Sequence, residues 1–192
     1  MILDIIKGFN WLDIVIVILI FRIIYVSIRT GIPVELFKLL GTLSAVYLSL
    51  HYYTTLSDFL KNLVPAIKII PLDFLDFISF VALVLLGYII FVFLREGFSR
   101  FIKMEAAQKL NKFGGFVLGI IRSCLVIGLL VFIIAISTIS YLKDSVKSSY
   151  LGNRFLKVAP AVYTALWNGI MSKFVPGEKF NDIILEIKNK FK

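Results

Sequence analysis

The sequence predicts an all-α integral membrane bundle of four transmembrane helices, with amphipathic interfacial and C-terminal helices. Composition is the first ground: of 192 residues, 59% are hydrophobic and 17% charged, against about 45–50% and about 25% in a soluble domain. The second is blocking, because the apolar residues stand in runs too long for a water-soluble core of this size to bury. The third is the lack of any barrel-like alternation. Backbone groups in lipid must be satisfied within their own segment, which leaves helices.

The first block runs from Trp11 to about Ile28. It carries Asp13 and Arg22, outlasts a secretory apolar region and lacks a small-residue cleavage site, so it reads as a span and not as a signal peptide. Gly31 and Pro33 then break the chain, and a second span is expected over 34–53. The third, 74–94, contains the charge-free run Phe77 to Leu94, which at ~1.5 Å per residue nearly crosses a ~30 Å hydrocarbon core. The fourth, 113–142, is interrupted only by Arg122 and must tilt or emerge at one end. Residues 1–142 thus form a membrane domain and 143–192 a helical tail.

Three amphipathic stretches lie outside these blocks. Leu56, Phe59, Leu60, Leu63 and Val64 share one helical face before Pro65 and predict a short interfacial helix. Residues 161–174, after Pro160 and including Trp167, predict another. After Pro176-Gly177, a last helix sets Phe180, Ile183, Ile184, Ile187 and Phe191 against Asp182, Glu186, Lys188 and Lys190. Such faces either pack on the membrane or the bundle, or dock a partner.

The net charge is +9, from 21 Lys+Arg and 12 Asp+Glu. Much of it sits in loops and tail, where membrane proteins match anionic headgroups, so nucleic acid is not an expected partner. Arg29 at the first turn, with Arg95, Arg100, Lys103, Lys109 and Lys112 at the third, places those connections inside and both termini outside. Lys143, Lys147, Arg154 and Lys157 weigh against that orientation.

Chemistry, if any, would rest on the ionisable residues within the spans: Asp13, Arg22, Glu35, Lys38 and Arg122. Each costs a few kcal/mol near mid-bilayer unless paired, hydrated or snorkelling. Gly31, Glu35, Lys38, Thr42, Ala45, Ser49 and Tyr52 form one seam of small and polar groups on the second span, which also holds Gly41 as a packing position. Gly115, Gly119 and Ser123 form a small-residue ridge on the fourth. Asp13 and Arg22 face opposite ways on their helix. Arg22 and Glu35 are the better-placed pair across the turn, with Lys38 snorkelling and Arg122 satisfied by carbonyls or headgroups. Alternatively these residues line a water-accessible cleft for an ion or anionic solute. Asp73 and Asp76 open the third span, where capping explains them.

Catalytic constellations are missing. His51 is the only histidine and falls near a membrane boundary; Cys124, the only cysteine, has no histidine nearby in sequence and suits packing. No metal-ligand cluster, phosphate loop or nucleophile elbow is present in the sequence, so neither an enzyme nor a cofactor is expected.

The run Asn10-Trp11-Leu12-Asp13-Ile14-Val15, followed by Arg22, Gly31, Glu35-Leu36 and Gly41, resembles the start of the bacterial colicin V production protein (CvpA) family. Lys112-Phe113-Gly114-Gly115-Phe116-Val117-Leu118-Gly119-Ile120-Ile121-Arg122 resembles that family's glycine- and arginine-bearing last span. The likeness covers roughly residues 8–140 and departs at Ser123, where a glycine is expected, and in the basic tail. It implies a four-span protein of the bacterial inner membrane required for producing or exporting a peptide toxin. Some relatives carry an extracytoplasmic serine protease; the tail here, without histidine, cannot supply a Ser-His-Asp triad. Two classes of function remain. One is a non-enzymatic scaffold in toxin production, export or envelope maintenance, partnered by the bilayer and by a further copy or an envelope protein. The other is a small oligomeric transporter or channel using Arg22, Glu35 and Arg122.

Overall fold

A computed structural model describes residues 10–63, 69–101, 108–175 and 177–191, apart from the side chains at 99–101 and 188. All its regular structure is helical: α1 (Trp11–Leu63), α2 (Leu72–Phe101), α3 (Gln108–Ile136), α4 (Ser140–Ser148), α5 (Tyr150–Phe155) and α6 (Val158–Leu166). A π-helical turn (Trp167–Met171) leads to α7 (Ser172–Phe174), and α8 (Ile183–Lys190) follows. Among the described residues, three helices are long and apolar enough to cross a membrane: α1, α2 and α3. Their outward faces carry Ile18, Phe21, Leu85, Phe93 and Phe113 largely uncovered, while Asp13, Glu35, Thr42, Ser49 and Arg122 are buried. That inversion of the soluble pattern fits lipid as the solvent.

α1 is two helical arms joined at a kink whose one non-helical residue is Gly31. Gly31 has φ 75° and ψ −179°, a region open in practice to glycine alone. There the chain folds back, so that the first arm (11–30) lies antiparallel to the second (32–63). Ser27 bonds Glu35 across the turn, and Leu12 and Ile16 share a core with Leu50 and Tyr53. Asn111 of α3 seals the apex, its Oδ1 accepting from Ile32 N at 2.7 Å. A Cβ on Gly31 would strike that same Asn111 side chain. Gly31→Ala is therefore expected to cost about 1–3 kcal/mol through backbone strain, with the loss of the Asn111 seal added. Unfolding of the purified protein in micelles measures it.

α2 and α3 both pack on α1 and barely on each other. Gly87 of α2 lets the Ala45 backbone approach, since a Cβ there would sit 2.8 Å from it. Gly115 and Gly119 of α3 do the same for the first arm: a Cβ on either would collide with Ser27. Gly41 faces Phe91 of α2.

Two expected features take a different form. The last apolar block does not run to 142, because α3 ends at Ile136 and the chain bends through Ser137 and Thr138 before α4. Ser137 stops it by turning its hydroxyl onto Ile139 N at 3.1 Å. No separate interfacial helix stands at Leu56–Leu63; these residues continue the second arm, with Phe59 and Leu63 exposed. Val64 and Pro65 lie outside the described residues, as do Lys103 and Pro176. The tail takes one of the alternatives left open for it, packing on the bundle. Val146, Leu156, Ala159, Tyr163, Trp167, Ile184 and Phe191 join Leu12, Phe80 and Phe132 in one core. Of the apolar face on the last helix, Ile184 and Phe191 are buried in this chain's own bundle and Ile183 remains exposed.

Candidate functional site

The residues within the spans sort into two places far apart. Near the Gly31 turn, Glu35 is 0% exposed and Arg122 8%. Oε1 of Glu35 accepts from Thr30 Oγ1 at 2.6 Å and from Lys38 Nζ at 2.7 Å. Oε2 accepts from Ser27 Oγ at 2.9 Å and lies 2.9 Å from Arg122 Nε. That last contact is ionic and too bent for a hydrogen bond. Arg122 Nη2 also donates to Ser27 Oγ at 3.3 Å. One carboxylate thus ties both arms of α1 to α3.

The pairing of Arg22 with Glu35 is not made. Arg22 is exposed and makes no ion pair among the described residues. Register explains this. Because the turn is a single residue, positions equally distant from Gly31 meet: Glu35, four residues after it, reaches Ser27, four before, while Arg22 lies nine before it and lines a cleft with Thr42. Lys38 does not snorkel away but bonds Glu35 at (i, i+3), and Arg122 takes the carboxylate in place of carbonyls or headgroups.

Asp13 belongs to the other end, about 20 Å along the arm from the Glu35 level. It is 0% exposed. Its Oδ2 accepts from Asn10 N at 2.8 Å, and its Oδ1 accepts from Ser149 Oγ and Leu151 N, both at 2.7 Å. Asn10 Nδ2 donates to Ser145 O at 2.7 Å, and Trp11 Nε1 to Ser145 Oγ at 2.9 Å. Asn10, Trp11 and Asp13 therefore form a latch that grips the α4–α5 junction. Ser149 caps α5 through its side chain on Gly152 N. Asp76 accepts a short hydrogen bond from Ser57, tying α2 to the second arm.

A third polar group was not foreseen. His51 is buried, with Nδ1 2.8 Å from Tyr163 Oη and Nε2 2.8 Å from Glu178 Oε2. The Glu178 carboxylate only accepts, so Nε2 carries a proton, and in the neutral ring Nδ1 then accepts from Tyr163 Oη, which itself accepts from Asn181 N at 3.1 Å. Burial pushes the Tyr163 phenol up to about 12, which keeps its proton in place. Tyr52 donates to Glu178 Oε1 at 2.6 Å. Tyr47 and Trp167 stack on the imidazole with centroids at 5.1 Å. The only sequence signal was His51 beside the Tyr52 end of the seam; its partners lie more than a hundred residues away. Cys124 is a free thiol, half-buried.

The latch, the saturated Glu35 and the glycine contacts of α3 all fall within or beside a segment with known relatives. The family model described as Colicin V production protein matches residues 12–160. The chain belongs to the colicin V production protein family. No curated protein and no solved structure matches it significantly. The colicin V production match runs past residue 140, where the likeness read from the sequence ended, and takes in α4, α5 and the start of α6. The first two of these are the elements that the latch holds.

Proposed function

We propose that this protein is a four-pass scaffold of the bacterial inner membrane, acting without catalysis in toxin production or export or in maintenance of the envelope. The four passes are the two arms of α1, α2 and α3. The shorter arm rises about 30 Å, the thickness of the hydrocarbon core. Both termini lie outside, a reading supported by Arg29, Lys109 and Lys112, which cluster at the Gly31–Asn111 end of the bundle, and by the latch between Asn10 and Ser145 at the other. The observation that carries the scaffold role is Glu35. Both its oxygens are saturated by groups of its own chain, so the central carboxylate serves to hold helices and not to hand on a solute.

The test is complementation of a strain lacking the gene, scored by toxin release and by detergent sensitivity. The neutral pair Glu35→Gln/Arg122→Gln is expected to insert and to restore both phenotypes. An inserted, stable double variant with no activity would instead favour the oligomeric transporter, for which Arg22, without an ionic partner among the described residues, is the supporting observation.

A further inference from the structure

A cleft of about 500 Å3 opens on the flank of the bundle between the two arms of α1, α2 and α3. Its end nearer Gly31 holds Arg22, Lys38 and Arg122, and its far end is walled by Val126, Leu130 and Ile133. From Arg122 to Ile133 the helix rises about 16 Å, so the cleft has a cationic mouth and a long apolar floor. Three cations share this mouth with one carboxylate, and that carboxylate is already saturated. Arg22 has no ionic partner among the described residues, although it stands about 13 Å along the arm from the turn. An uncompensated guanidinium at that depth is costly in hydrocarbon. A lipid phosphate is the anion that the surrounding medium itself supplies.

We infer that this cleft binds one anionic phospholipid, its phosphate on Arg22 and Lys38 with Arg122 behind, and one acyl chain laid along Val126, Leu130 and Ile133. Charge complementarity at the mouth and the apolar floor together select this occupant: a soluble anion would leave the floor empty, and a zwitterionic lipid would leave the excess positive charge in place. The site requires only that the bundle lies in a bilayer. It does not depend on the scaffold role.

The full chain, purified in a mild detergent, is titrated with phosphatidylglycerol and separately with phosphatidylcholine, and read by native mass spectrometry and thermal shift. One phosphatidylglycerol per chain is expected, with clear preference over phosphatidylcholine. Arg22→Gln, at an exposed position, is expected to weaken it about fivefold, the worth of one cation near an anionic headgroup. Arg29→Gln, a cation outside the cleft held over the Tyr25 ring, is expected to leave it unchanged. Val126→Trp fills the floor without altering charge and is expected to abolish retention. Equal retention of the two lipids, or equal weakening by Arg22→Gln and Arg29→Gln, would overturn the proposal. So would full competition by soluble glycerol phosphate, which assigns the mouth to a free anion, or lipid-free dimers in which a second copy fills the cleft.

Discussion

Glu35→Gln is expected to destabilise the protein by about 3–5 kcal/mol, the usual consequence of leaving a buried charge without its partner. The glutamine matches the carboxylate in volume, so the loss is electrostatic. Arg122, 8% exposed, would be left inside the bundle facing a neutral amide, with Lys38 of the same sign on the other side. The double variant Glu35→Gln/Arg122→Gln should recover most of the loss. It removes both deeply buried charges, and the Lys38 side chain, 13% exposed, can carry its ammonium outward. A double-mutant cycle in micelles measures the coupling. Additive losses would mean that the 2.9 Å approach of Arg122 to Glu35 contributes no coupling.

Asp13→Ala should have an effect of similar size at the opposite end of the bundle. It strips the acceptor from Asn10 N, Ser149 Oγ and Leu151 N, and each buried donor left without a partner costs about 1–3 kcal/mol. Some of that returns as water reaches the bundle end, so a net loss of about 3 kcal/mol is expected. The effect should be local. Lys147, Arg154 and Lys157 are already exposed, but trypsin needs their backbone unfolded; release of α4 and α5 supplies that, and cleavage there should rise roughly a hundredfold if the opening free energy falls by that amount. Asp144→Ala is the control, because Asp144 is exposed and its contact to Lys147 spans 3.9 Å. Equal cleavage of the two variants would show that Asp13 does not hold the tail.

Much of the helical content and the membrane character was legible in the sequence, because apolar runs and their length speak directly to the solvent. The break at Gly31 and the family likeness were legible too, the latter from Asn10-Trp11-Leu12-Asp13 and the glycines before Arg122. What could not be read was register. The partner of Glu35 depends on a reversal completed at a single residue, and a turn longer by a few positions would have brought another residue to it. What covers the tail was left open for a related reason. Its amphipathic pattern shows that one face must be covered but not by what, and here Tyr163, Trp167 and Ile184 are covered by the bundle itself. The His51 network escaped because Tyr163 and Glu178 meet it only once the tail has folded back. The role of Asn111 at the turn was likewise invisible without the approach of α3 to Gly31.

The proposed bundle is dry and four-pass, with α1 crossing the membrane twice. Single cysteines on a Cys124→Ser background, labelled by a membrane-impermeant thiol reagent on intact cells and on inverted vesicles, distinguish it from other topologies. Arg29→Cys and Lys109→Cys should label only in inverted vesicles, Asp144→Cys only in intact cells, and Thr42→Cys and Ser49→Cys in neither. Labelling of Arg29→Cys and Asp144→Cys from the same side would contradict the double crossing, and labelling at Thr42→Cys or Ser49→Cys would contradict a dry interior.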